Sequence, residues 1–128
     1  MGMTKDQLIH KIHEDYSENI YAGKLLDQVE DYIRSYTKAI NQGIDRIKKY
    51  LGQEVVIELD DRNALAYIRI KENSIHFYRR QDKIDVAIVR NGNKQDDQIR
   101  ITENVCKSRL YEKSIQEAMD QYMSLAFQ

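Results

Sequence analysis

His10 and His13 stand three residues apart, and Glu14 follows His10 by four. On a helix that spacing puts three metal-ligating side chains near one face. A metal centre needs more ligands and supporting hydrogen bonds. The chain holds no HExxH, no Glu-x-x-His and no second histidine pair. The trio therefore reads as a solvated helix face, and no metal or other cofactor is expected.

Other reactive side chains lack the company that catalysis requires. Cys106 falls at the start of a predicted helix, where the helix N-terminus lowers a thiol pKa. No His and Asn partners stand at a recognisable spacing, so a buried small side chain is its expected role. Asp60-Asp61 and Asp96-Asp97 lie beside turns and lack calcium-loop spacing. Asn91-Gly92-Asn93 reads as a hairpin turn, and no glycine-rich phosphate loop is present. None of the serines sits in a nucleophile elbow. No acid–base or nucleophile constellation can be assembled, so no catalytic residue is assigned and an enzyme is the least favoured class.

A richer pattern comes from Tyr67, Arg69, His76, Tyr78, Arg80 and Arg100, which share one face of the predicted strands. Aromatic rings among guanidinium groups on an open sheet can stack bases and bind phosphates. The set contains no RNP-like run, and glycine is scarce. An ordinary wet face, on which Tyr, Arg and Glu pair across strands, accounts for the same residues. The binding readings of this face are nucleic acid and an acidic protein partner.

The strands that must carry these residues show period-two alternation from residue 54. Val55, Ile57 and Leu59 alternate with Glu54, Val56 and Glu58. Ala66, Ile68 and Ile70, then Ile75 and Phe77, then Ile84, Val86 and Ile88, then Ile99 and Ile101 continue it. Two-residue loops at Asp61-Arg62, Glu72-Asn73 and Gln81-Asp82 would pair Ile57 with Ala66, Ile68 with Phe77, and Phe77 with Val86. Tyr67 would then face Tyr78, Arg69 would face His76, and Tyr78 would face Asp85. All apolar partners fall on one face, as a buried register demands. The expectation is an antiparallel meander of four or five strands over residues 54–102.

Helices flank the meander. Thr4-Lys5-Asp6-Gln7 is a capping box, and Leu8, Ile9, Ile12, Tyr16 and Ile20 follow at helical spacing. Gly23 is expected to break this first helix. Leu26, Val29, Ile33, Tyr36, Ile40, Gly43, Ile47 and Tyr50 then make an a/d heptad series, closed by Gly52. Helical structure is expected over residues 4–51, as one bent helix or a hairpin. A C-terminal helix over residues 105–127, capped by Asn104, is expected on the same sheet face. The fold class is α+β, one domain spanning residues 1–128. Met1-Gly2 ahead of Met3 reads as an addition before a native start at Met3.

Geometry argues for a second subunit. A helix over residues 24–51 would be about 42 Å long, whereas the strands span about 20 Å. The overhanging apolar stripe needs cover, which makes Ile33, Ile40 and Ile47 the candidate dimer contacts. Charge is also sorted along the chain. Residues 1–61 carry 8 Lys/Arg and 12 Asp/Glu, and residues 62–109 carry 11 and 6, within a net charge of -1. No apolar run approaches the ~20 residues of a membrane helix. A single cysteine fits a reducing, cytoplasmic setting. The expected function is a non-enzymatic interaction module, such as an adaptor, chaperone-like partner or inhibitor, acting as a homodimer. The alternative is nucleic-acid binding through the basic, tyrosine-bearing outer face.

Overall fold

The computed structural model describes residues 2–61 and 64–128. The chain is α+β: two N-terminal helices, a six-stranded antiparallel sheet and a C-terminal helix. α1 (Lys5–Asp15) begins with the expected capping box. The Thr4 hydroxyl accepts from the Gln7 N–H at 3.1 Å, and the Gln7 side chain accepts from the Thr4 N–H at 2.9 Å. α2 (Ser17–Gly43) follows after one residue, Tyr16, whose N–H still donates to the Ile12 carbonyl at 3.1 Å.

The break thus falls at Tyr16 and not at Gly23, which lies inside α2. An interior glycine costs about 1 kcal/mol, and packing of Leu26, Val29 and Ile33 into the core readily offsets that. One linking residue is also too short for a helical hairpin, so α1 prolongs α2 with a bend.

The heptad helix stops earlier than the spacing suggests. α2 ends at Gly43, and a 3₁₀ turn (Asp45–Ile47) and one helical turn, α3 (Lys48–Leu51), follow. Leu26, Val29 and Ile33 are buried, Tyr36 and Ile40 pack on the core margin, and Tyr50 is 75% exposed. Gly52, at φ 60°, adopts the left-handed backbone that ends the helical segment.

The strands are β1 (Val55–Asp61), β2 (Ala64–Ile70), β3 (Asn73–Arg79), β4 (Lys83–Arg90), β5 (Asn93–Thr102) and β6 (Val105–Ser108). They pair in sequence order. Phe77 faces Val86 and Tyr78 faces Asp85, as expected. The other two proposed registers move by two residues: Ile57 faces Ile68, and Ala66 faces Phe77. A two-residue shift keeps every side chain on its face, so the inner face is unchanged. The β2–β3 turn is Lys71-Glu72, with Lys71 at φ 56°. Asn73 belongs to β3 instead, where its side chain accepts the Asn91 N–H at 2.9 Å. The proposed Asp61-Arg62 turn reaches Arg62, which lies outside the described residues together with Asn63.

The sixth strand replaces the start of the expected C-terminal helix. Glu103 and Asn104 both take positive φ, 51° and 65°, which suits a tight hairpin. Asn104 therefore turns the chain instead of capping a helix, and Cys106 lies on β6. α4 spans Ile115–Phe127, with Ser114 at its N-cap position. α2 and α4 both pack on the inner face. Leu26, Ile33, Ile75, Phe77, Ile84, Ile99, Met119 and Tyr122 are completely buried there, while Ile57 and Ile101 pack at the margin.

Candidate functional site

Two surfaces carry residues that the core does not use. The first is the outer sheet face, opposite the helices. Tyr67 and His76 are cross-strand partners, and their rings stack at 4.0 Å. His76 and Tyr78, alternate residues of β3, lie nearly parallel at 5.5 Å. The Arg80 guanidinium lies 5.5 Å from the Tyr78 ring centre. Tyr67, His76, Tyr78 and Arg80 thus form one column, whose members already lie against one another. Burial holds the His76 imidazole below its usual range, and Lys94 adds to the effect.

The cations separate into engaged and free groups. Arg69 donates to the Gln53 carbonyl at 2.7 Å and the Lys71 carbonyl at 2.8 Å. It faces Ser74 and not His76, as the register shift requires. Arg80 donates to Asp85 at 2.9 Å. Arg100 stands apart from the aromatic column, between Lys83 on β4 and Lys107 on β6. Beside it a cleft of about 350 Å³ opens between Arg100, Thr102, Lys107, Ser108, Arg109 and Glu112. Among the described residues, no ion pair engages Arg100, Lys107 or Arg109, whereas Arg34, Arg79 and Arg80 each hold a carboxylate.

The second surface is an apolar arm. α1 has no buried residue. Leu8, Ile9 and Ile12 are 48–49% exposed, and Tyr16 and Ile20 continue the stripe. His10 and Glu14 form a 3.4 Å pair in solvent on the same helix. Among the described residues, no group of three metal-ligating side chains converges there or elsewhere. The proposed contact residues differ in setting. Ile33 is fully buried in the chain's own core, Ile40 is half-buried, and Ile47 is 49% exposed.

One polar cluster escapes sequence reasoning. Asp97 is 1% exposed on the inner face. Its carboxyl accepts from the Ser108 hydroxyl, the Tyr122 hydroxyl and, at 2.9 Å, the Leu110 N–H. Burial, aided by Asp97, pushes the Tyr122 phenol far above its usual range. The available signal is parity: Asp97 continues the inward series Ile101, Ile99. Cys106 is half-buried, and burial raises its thiol against the opposing pull of Arg79.

No family model, no curated protein and no solved structure matches the chain. Among the described residues, no helix is long and apolar enough to cross a membrane.

Proposed function

We propose that the protein is a non-enzymatic interaction module that acts as a homodimer, joined through the apolar arm of α1 and the first turn of α2. The observation that carries this reading is the stripe Leu8, Ile9, Ile12, Tyr16 and Ile20, uncovered by its own chain. A stripe of this size, on the order of 500 Å² per chain, sits at the upper end of what a monomer leaves exposed. Two copies packed in an antiparallel pair would cover on the order of 1,000 Å² in total, near the lower bound for a specific interface.

A second copy suits this face better than a charged partner. Residues 5–15 carry Lys5 and Lys11 against Asp6, Glu14 and Asp15, and Lys11 and Asp15 already pair at 3.0 Å. Two such arms meet without strong repulsion. The dimer contact moves from the proposed Ile33, Ile40 and Ile47 towards the N-terminus, because Ile33 is already in use as core. The lone cysteine supports a cytoplasmic setting. The test is Ile12→Glu: it should halve the mass seen by light scattering and leave the circular dichroism of the sheet intact. An unchanged mass would refute the arm as the joint.

Nucleic-acid binding through the outer face is the second reading. Arg100, Lys107 and Arg109, which line one cleft and hold no ion pair among the described residues, favour it. Against it, the aromatic column is stacked on itself, and Arg69 and Arg80 are held internally.

A further inference from the structure

We infer that the cleft between Arg100, Lys107 and Arg109 is a seat for a phosphate group. The inference is independent of the arm and of the dimer.

The first observation is a run of like charges. Lys83, Arg100 and Lys107 lie directly opposite one another across β4, β5 and β6. Like charges in facing positions destabilise a sheet unless a counter-charge is present. Asp85 lies 3.9 Å from Lys83 but is already bound by Arg80 at 2.9 Å. Arg100 and Lys107 have no ion pair among the described residues. A bound anion supplies the missing charge.

The second observation is shape. Arg100 and Lys107, joined by Arg109, do not lie on a flat surface but wall a cleft of about 350 Å³. That volume is at the small end of ligand sites and suits a compact anion better than an acidic polypeptide laid across the sheet. Thr102 contributes a hydroxyl, and among the described residues Glu112 is the one carboxylate in the wall, which leaves a formal balance of +2. Two guanidinium forks beside one ammonium match phosphate oxygens, which accept paired N–H bonds.

The third observation is rigidity. The Arg109 N–H donates to the Gln98 carbonyl at 2.8 Å, and the Ser108 N–H donates to the Lys113 carbonyl at 2.8 Å. Asp97 grips both neighbours of Arg109, taking the Ser108 hydroxyl and the Leu110 N–H. The backbone that presents Arg109 is therefore fixed from the core side. A preset site binds without the cost of ordering a loop.

The phosphate has two sources, a small phosphorylated ligand or the backbone of a nucleic acid. Isothermal titration of the full chain at ~50 mM salt distinguishes them. The probes are sodium pyrophosphate and an unphosphorylated single-stranded oligonucleotide. Pyrophosphate should bind at one site per chain. Arg100→Ala and Arg109→Ala should each weaken it roughly tenfold, and Arg109→Lys should fall between. Lys94→Ala, a cation elsewhere on the same face, should leave it unchanged. Oligonucleotide binding that pyrophosphate displaces assigns the seat to a nucleic-acid backbone; pyrophosphate binding alone assigns it to a small ligand. Three results would overturn the inference: no binding of either probe at millimolar pyrophosphate, equal binding by the Arg100→Ala/Arg109→Ala double variant, or displacement of pyrophosphate by hexaglutamate at matched charge. The substituted side chains are exposed, and circular dichroism confirms that each variant is folded.

Discussion

The Tyr122 hydroxyl donates to the carboxyl of Asp97, tying the middle of α4 to the centre of β5 inside the core. The same carboxyl takes the Ser108 hydroxyl and the Leu110 N–H. One buried acid thus links the sheet, the β6–α4 connection and the last helix. Tyr122→Phe removes one donor and leaves the acid under-satisfied, which should cost about 1–3 kcal/mol in a denaturant titration. Asp97→Ala leaves two hydroxyls and one N–H without their acceptor and should cost more.

Tyr122 also predicts behaviour in alkali. Its folded pKa is raised, by burial first and then by Asp97. The neutral phenol is therefore the form that the fold favours. The associated stability is fully present below the unfolded value of about 10 and is lost as pH rises above it. Wild-type stability should fall above about pH 10, and the Phe variant should show a slope shallower by up to about 1.4 kcal/mol per pH unit. Tyr36 and Tyr111, both also raised, keep part of the slope in the variant. Equal slopes in the two proteins would contradict the assignment.

His76 acts in the opposite pH range. Its folded pKa is lowered, chiefly by burial and then by Lys94, so the neutral ring between Tyr67 and Tyr78 is the favoured form. The stability is present above the unfolded value of about 6.5 and declines as pH falls below it. His76→Phe should keep the stack and lose this acid-side decline. Thermal melts between about pH 7.5 and pH 5 compare the two.

Glu30 joins helix to sheet. Its carboxylate lies 3.1 Å from Arg79 on β3 and 3.2 Å from Arg34 on α2, and its side chain is only 15% exposed. Glu30→Ala leaves Arg79 with Asp27, and Arg34 with Asp31 and Asp60, as their remaining acids. The expected loss is about 1–3 kcal/mol, smaller at high salt than at low salt. A loss independent of salt would point to packing instead.

Much of this architecture is written in local patterns. The alternation of Ile84, Val86 and Ile88 marks a strand with a buried face, and Phe77 opposite Val86 follows from the Gln81-Asp82 loop. Turn choice is less legible. Lys71 takes the left-handed conformation in the turn, and Asn73 joins β3, where its side chain accepts the Asn91 N–H, a contact 18 residues distant. β6 is hidden for a different reason: four residues, Val105–Ser108, are too few to show a period beside a helical pattern that continues from Leu110. With β6 read as helix, Lys107 and Arg109 cannot be seen beside Arg100. Asp97 is missed because an Asp-Asp pair resembles a turn, although its inward parity marks it as a core residue.

On the dimer reading, the arm bearing Leu8, Ile9 and Ile12 meets a second copy of the chain. Sedimentation equilibrium of the wild-type chain, from about 1 to about 200 μM, tests it most directly, since an interface near the lower size limit should dissociate within such a range. The mass should climb from one chain, 15.2 kDa, towards two as concentration rises. A mass of 15.2 kDa at every concentration would contradict it.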